Sequence, residues 1–268
     1  MASKTKTPDK AGEAPTVRVP PLHDAGAIAP KSKDAPVANV ATDASVADFV
    51  AKIKALGPTA GAGRGRLIFA MDATMSRQPT WDMALALQSD MFATVKNVGG
   101  LDVQLTFFRG SGECKSSRWV SDPDQLAHLM RRVTCQGGLT QLGRVLSAAC
   151  GAASTKKVNA LVYVGDAMEE NIDHVCARAG ELALHGVPVF MFQEGRDANA
   201  SLAFKEVARL TRGAYCRFDA GSAKQLRDLL TAVAAYAAGG HRALLALSQS
   251  TTGAGAQLLI AQLPAGQK

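Results

Sequence analysis

The chain has 268 residues, of which 47% are apolar and 20% are charged, and this composition suits one domain of roughly 200 residues with a full core, plus tails. The net charge of +7 would be compatible with nucleic-acid binding, but the basic residues are scattered and only 5% of residues are aromatic, which argues against it. The five cysteines are odd in number, widely spaced and without a CxxC pair. They therefore indicate mostly buried thiols in a reducing compartment rather than disulfides or a zinc site.

The first 63 residues lack the pattern of a folded core. Residues 1–44 are rich in Pro, Ala, Lys and Asp without a hydrophobic period, which predicts a disordered N-terminal arm. Residues 45–63 predict a short docking helix followed by a glycine-rich linker, because those glycines precede a strand instead of following one as phosphate-binding glycines do. The chain contains no signal-peptide core and no apolar stretch that would span a bilayer, so we expect a soluble cytoplasmic protein without a membrane partner.

From residue 64 onward, apolar runs alternate with amphipathic segments. In chain order the pattern predicts strand 66–71, helix 80–98, strand 102–108, edge strand 114–120, helices 122–133 and 142–154, strand 158–165, helix 172–186, strand 187–193, helix 201–213, strand 214–219 and helix 222–240. Such alternation predicts an α/β domain over residues 64–240 with a doubly wound, mostly parallel, Rossmann-like sheet flanked by helices. Residues 241–268 form a C-terminal extension, in which 256–263 predict either an added edge strand or a packed tail.

Oxygen-bearing side chains follow two of these strands. Asp72 comes directly after the first strand, with Thr74 and Ser76 at the next alternate positions, and Asp166 comes directly after the fourth. Thr140 opens a helix after a two-glycine loop. Ligands of an open α/β sheet bind beyond the carboxyl ends of its strands, and an all-oxygen set without His or Cys suits Mg²⁺, Mn²⁺ or Ca²⁺. Such an ion keeps open or water-filled positions, so a carboxylate from outside could complete its shell.

The segments "DATMS", "GGLTQLG" and "VGDA" resemble the metal-ion-dependent adhesion site (MIDAS) of von Willebrand factor A (VWA) domains, which has the pattern D-x-S-x-S, a Thr before a helix and an Asp after a central strand. The resemblance covers about residues 64–240. It implies a VWA fold of the bacterial intracellular type, a protein partner presenting an Asp or Glu, no catalytic residues, and five metal ligands: Asp72, Thr74, Ser76, Thr140 and Asp166. Thr74 replaces the usual first Ser, while Met75 and Ala167 replace frequent glycines, and the ligand atoms stay intact.

Two alternatives remain. A metal-free scaffold would use the same hydroxyl and carboxyl groups as helix caps. A haloacid-dehalogenase-like phosphatase would use Asp72 as nucleophile with Thr140 and Lys156 or Lys157, but it lacks an acid/base Asp at position 74. Arg77 either faces the metal rim, where it steers an acidic ligand, or is a solvated residue at a helix start. Glu169 and Glu170 predict a favourable negative charge at a helix start, or a supporting role around the metal.

Overall fold

The computed structural model describes residues 64–96 and 98–249. Six strands and six α-helices make up this part of the chain, and a short 3₁₀ turn, Met75–Arg77, precedes the first helix. In chain order they are β1 (Gly65–Asp72), α1 (Gln78–Val95), β2 (Leu101–Arg109), β3 (Glu113–Val120), α2 (Pro123–Arg131), α3 (Leu142–Thr155), β4 (Ala160–Gly165), α4 (Ile172–Leu184), β5 (Val189–Glu194), α5 (Ala198–Leu210), β6 (Ala214–Phe218) and α6 (Ala223–Gln249).

The strands form one sheet in the order β3-β2-β1-β4-β5-β6. Every neighbouring pair is parallel except β2 and β3, which are antiparallel. The order reverses direction at β1, where the chain moves to β2 on one side and later to β4 on the other. A ligand crevice is expected at this reversal, beyond the carboxyl ends of β1 and β4.

Helices bury both faces of the sheet, and the sequence of β1 reflects this. All eight residues of β1 are buried. Leu67, Phe69 and Met71 join the core beneath α1, α2 and α6, while Ile68 and Ala70 join the core beneath α3, α4 and α5. A strand covered on both sides must be apolar at consecutive positions, which explains the continuous apolar run at residues 67–71. The observed sheet confirms the predicted α/β sheet.

Several helix ends differ from the prediction, and the first and last helices show how. The first predicted helix, 80–98, begins two residues earlier and ends at Val95, because the backbone turns toward β2 through Gly99 and Gly100, which have φ angles of 138° and 82°. The last predicted helix ends at Gly240, and the chain does leave helical geometry at Gly239 and Gly240. Helical residues then resume as far as Gln249, which the sequence pattern did not predict.

The predicted arm, docking helix and linker, and the segment 256–263, lie outside the described residues. The prediction of mostly buried cysteines is wrong in its extent: Cys135 and Cys216 are buried, and the other three are partly exposed, although all five are free thiols. Among residues 64–96 and 98–249, none of the helices combines the length and the apolar content that a membrane crossing requires.

Candidate metal centre

The sheet register brings the predicted site residues to one edge. Met71 of β1 pairs with Val164 of β4, so Asp72 and Asp166 leave neighbouring strands at nearly the same level. The loop before α3 adds Thr140. A cavity of about 180 Å³ lies between these loops, and its lining includes all five predicted ligands: Asp72, Thr74, Ser76, Thr140 and Asp166.

The segment after β1 turns sharply so that its oxygens face the cavity. Asp72 is 2% exposed, and its Oδ1 accepts a hydrogen bond of 2.6 Å from the backbone N–H of Thr74. This Asx-type contact closes a tight turn. The hydroxyl oxygens of Thr74 and Ser76 then lie 3.4 Å apart, a geometry in which both can contribute to one coordination sphere.

Two consecutive glutamates attach the Thr140 loop to the loop after β4. The Thr140 hydroxyl donates to Oε2 of Glu169 over 2.7 Å, and the Thr140 backbone N–H donates to the same oxygen over 3.0 Å. Glu170 accepts from the backbone N–H groups of Leu142 and Gly143, so it caps the first turn of α3, where negative charge is favoured. Glu169 also lines the cavity, which makes it a third carboxylate beside the predicted pair.

Arg77 is neither solvated nor free to steer a ligand. Its side chain is 14% exposed, its Nη2 lies 3.1 Å from Oδ2 of Asp166, and its Nη1 contacts Oε2 of Glu194. Glu194 ends β5, is 7% exposed in its side chain and also accepts from the hydroxyl of Thr80. The guanidinium therefore bridges the carboxyl ends of β4 and β5.

Burial controls the protonation of the two predicted carboxylate ligands. Burial, with a smaller contribution from the nearby Asp166 charge, raises the pKa of Asp72 to about 6 against the opposing hydrogen bonds from Thr74. Burial also raises the pKa of Asp166, with Arg77 opposing and Glu194 and Glu169 adding to the rise. Burial therefore disfavours the charged form of both carboxylates, and a bound cation would favour it.

The three hydroxyls do not serve as helix caps. Thr74 precedes the 3₁₀ turn, but its side chain makes no capping bond, and no side chain caps α1 at Arg77 or α3 at Gln141 from the capping position itself. Within residues 64–96 and 98–249, no three Asp, Glu, His or Cys side chains gather closely enough to hold a metal by themselves. The oxygen set fits a hard divalent ion that takes hydroxyls and water alongside two carboxylates, and ligation by these residues stays a prediction.

The lysines required by the phosphatase alternative are not in the cavity. The backbone carbonyls of Lys156 and Lys157 accept from Arg66, near the amino end of β1. They therefore belong to the opposite edge of the sheet from Asp72. This separation removes the lysine that the phosphatase alternative places beside its nucleophile.

The sequence reasoning missed Glu194 and Thr80 and undervalued Glu169. Glu194 could have been found, because it is the last residue of the apolar run "VFMFQE". The rule that ligands lie beyond the carboxyl ends of strands, which selected Asp72 and Asp166, applies equally to it. The contacts of Thr80 and Glu169 depend on how α1 and the β4 loop pack, which no local pattern encodes.

No family model and no curated protein matches this sequence. Solved structures do match its fold. The von Willebrand factor type A protein from Catenulispora acidiphila superposes with a TM-score of 0.56 at 12% identity, and the match covers 65% of this chain and 43% of that one. This chain thus matches less than half the length of that protein.

Two shorter structures match over nearly their whole length. The vWF domain of the type V pili tip protein Mfa5 from Porphyromonas gingivalis gives a TM-score of 0.52 at 10% identity, covering 65% of this chain and 95% of that one. The VWA domain of SpRpn10 gives 0.50 at 13% identity, covering 62% and 94%. Together with the six-stranded, mostly parallel sheet flanked by helices, these matches show that the chain has the α/β, Rossmann-like VWA fold.

Proposed function

We propose that this chain is a protein-interaction module of the bacterial intracellular VWA type, in which a divalent ion, preferably Mg²⁺, lies in the cavity at the carboxyl edge of the sheet. Mn²⁺ or Ca²⁺ would suit the same oxygen ligands. A partner protein would add an Asp or Glu carboxylate to the ion. The observation that carries this proposal is the convergence of all five predicted ligands on one cavity.

The chemistry of the cavity supports binding rather than bond breaking. Asp72 and Asp166 supply two negative charges, and Thr74, Ser76 and Thr140 supply neutral oxygens that can orient toward a cation. When bound, the ion would supply a positive charge that accepts an anionic oxygen from outside. The lysines that a phosphatase would need lie at the other edge of the sheet, so no observation favours that reaction.

Exposed apolar side chains beside the cavity support a protein as the partner. The described residues include five strongly exposed large hydrophobic side chains, and two of them, Met75 at 62% and Leu139 at 65%, border this region. Met75 lines the candidate metal cavity, and Leu139 lines an adjoining cavity of about 390 Å³ that shares Gly137, Gly138 and Thr140 with it. Apolar surface next to a polar anchor is typical of an interaction site.

The free cysteines support the cytoplasm as the compartment. Cys114, Cys150 and Cys176 are partly exposed and unpaired, a state that a reducing environment preserves. Burial raises the pKa of each of these thiols, which keeps them protonated and slow to oxidise.

Calorimetric titration of Mg²⁺ into chelator-treated protein tests the proposal. Wild type should bind one ion, Asp72→Ala and Thr140→Ala should lose measurable binding heat, and Asp228→Ala, which removes an exposed carboxylate of α6, should bind as wild type does. The partner part is tested with a glutamate-containing peptide and its glutamine counterpart, followed by NMR in Mg²⁺ and in chelator. Shifts of the Met75 methyl group should require both Mg²⁺ and the glutamate.

Two results would contradict the proposal. If neither Mg²⁺, Mn²⁺ nor Ca²⁺ gives binding heat with wild type, the domain is a metal-free scaffold. If the ion binds but the glutamate and glutamine peptides give equal shifts, the ion does not receive a partner carboxylate.

A further inference from the structure

Arg77 is fixed between two acids of unequal accessibility. The Glu194 side chain is 7% exposed and the Asp166 side chain is 25% exposed. Glu194 also accepts from Thr80, and Arg77 is the cation paired with it. A buried carboxylate that loses its counter-charge is strongly destabilising, so Glu194 holds Arg77 firmly.

Asp166 differs from Glu194 in two respects. It lines the candidate metal cavity, whereas Glu194 does not contribute to that lining. One of its oxygens, Oδ2, is committed to Arg77 over 3.1 Å. Of the two acids, Asp166 is therefore the one that can exchange one cation for another while Arg77 keeps its contact with Glu194.

We propose that Arg77 is an internal cation that occupies Asp166 in the metal-free protein, and that a divalent ion must displace it from this carboxylate and leave it on Glu194. This inference rests on the proposed metal site and adds a residue that sets its affinity. Arg77 acts through Asp166 and Glu194, so it is a positioning residue and not a ligand. Its Nε is buried without a hydrogen-bond partner among the described residues, which shows that its present contacts are incomplete.

Competition between the two cations lowers the affinity of the site. In the metal-free state, Arg77 neutralises part of the charge that would attract the ion. In the loaded state, its guanidinium remains nearby on Glu194 and repels the ion. Replacing Arg77 by a neutral side chain removes both effects, and at the effective dielectric of a partly buried site this predicts an affinity increase of about tenfold or more.

Magnesium titration calorimetry of four proteins tests the inference. Arg77→Gln should bind Mg²⁺ about tenfold more tightly than wild type, and Arg77→Lys, which keeps the charge, should stay within about threefold of it. Arg178→Gln removes an exposed arginine of α4 that is paired with Glu181, so it controls for net charge and should bind as wild type does. A thermal melt of each variant confirms folding.

Arg77→Gln leaves Glu194 unpaired, so the double variant Arg77→Gln/Glu194→Gln provides a second test of what the Arg77 charge does to Mg²⁺ binding. It restores the charge balance of the buried pair while freeing Asp166, and it should also bind Mg²⁺ more tightly than wild type. A structural readout comes from ¹⁵N-labelled arginine: the Arg77 Nε signal should shift when Mg²⁺ is added to wild type, whereas the Arg178 signal should not.

The outcomes separate this inference from the proposed function. Equal Mg²⁺ affinity of wild type, Arg77→Gln and the double variant overturns the role of Arg77 and leaves the metal site standing. Binding by the variants but not by wild type supports the role of Arg77, and it overturns metal dependence of the natural chain. Absence of binding in all of the proteins overturns both.

Discussion

Replacing Asp72 by Asn should stabilise the metal-free protein at neutral pH. Asp72 is 2% exposed, and burial raises its pKa to about 6 from the ordinary aspartate value of 3.8. The folded state thus retains the proton over a pH range in which the unfolded chain has already lost it. Asn keeps an oxygen that can accept the Thr74 N–H, but it carries no charge.

Proton linkage gives the size and sign of the change in the free energy of unfolding. Well below pH 3.8, Asp72 is protonated in both states and contributes no penalty. Between about pH 3.8 and 6 the unfolded chain ionises while the folded state keeps the proton, so the free energy of unfolding falls, by up to about 3 kcal/mol at 1.36 kcal/mol per pKa unit, and it levels off above pH 6. The Asn variant does not lose this free energy, because its side chain does not ionise. At pH 7.5 in chelator it should be up to ~3 kcal/mol more stable, which raises the melting temperature by roughly 6–12 °C for a domain of this size.

Adding Mg²⁺ should reverse the order. A ligand at about one thousand times its Kd stabilises the folded state by about 4.1 kcal/mol, which exceeds the advantage of the Asn variant, and wild type should gain this while Asp72→Asn gains far less. Thermal melts of both proteins at pH 4.5 and 7.5, in chelator and in Mg²⁺, measure the difference in melting temperature between variant and wild type under each of the four conditions. Asp228→Asn, on the exposed face of α6, should follow wild type throughout. The reasoning is refuted if Asp72→Asn is less stable in chelator at pH 7.5, or if its difference from wild type is the same at both pH values.

Four further substitutions, of which Gly137→Ala is a control, test the loops and the core. An added Cβ at Gly138 would lie 2.2 Å from the backbone oxygen of Gly110, whereas one at Gly137 would meet nothing within 4 Å. Thermal melts and Mg²⁺ calorimetry should therefore show lower stability and weaker Mg²⁺ binding for Gly138→Ala. The same measurements should show little change for Gly137→Ala. The Tyr163 hydroxyl is buried without a partner among the described residues, so urea titration should show Tyr163→Phe as stable as wild type or more so by about 1 kcal/mol. Glu170→Ala removes the acceptor for two N–H groups of α3 and should lower the free energy of unfolding by about 1–3 kcal/mol.

Each of these substitutions has a contradicting result. Equal behaviour of Gly137→Ala and Gly138→Ala would show that the two-glycine loop adapts without cost. A loss above 1 kcal/mol for Tyr163→Phe would show that the hydroxyl is hydrogen-bonded, for instance by a buried water. Unchanged stability of Glu170→Ala would show that solvent satisfies the first turn of α3 equally well.

The sequence was informative wherever the signal was local or periodic. The run at residues 67–71 is apolar at every position because both faces of β1 are covered, and this identified the sheet. Asp72 and Asp166 were located because ligands of an open sheet lie beyond the carboxyl ends of its strands, and the hydroxyls were assigned as further ligands by the resemblance to the VWA adhesion-site motif. The structure places the carboxyl ends of β1 and β4 side by side. These parts of the fold and of the cavity lining needed no knowledge of side-chain packing.

The remaining features depend on contacts between distant segments. The commitment of Arg77 to Glu194 joins residues 117 positions apart, and the adjacent Ser76 gives no hint of it. The helical segment beyond Gly240 was also not predictable, since paired glycines usually end a helix. Here they only interrupt it, with φ angles of −138° and 62°.

The paired contacts of Glu169 and Glu170 have a mechanical consequence. One residue fastens Thr140, the next fastens the start of α3, and both sit three or four positions after Asp166. These hydrogen bonds thus join the loop before α3 and the loop after β4, two of the three loops around the cavity, into one rigid piece. The segment from Asp72 to Arg77 is joined to that piece by the Arg77–Asp166 ion pair and by a hydrogen bond from the Gln136 N–H to the Ala73 carbonyl. A change in the width of the cavity must therefore stretch or break one of these two contacts.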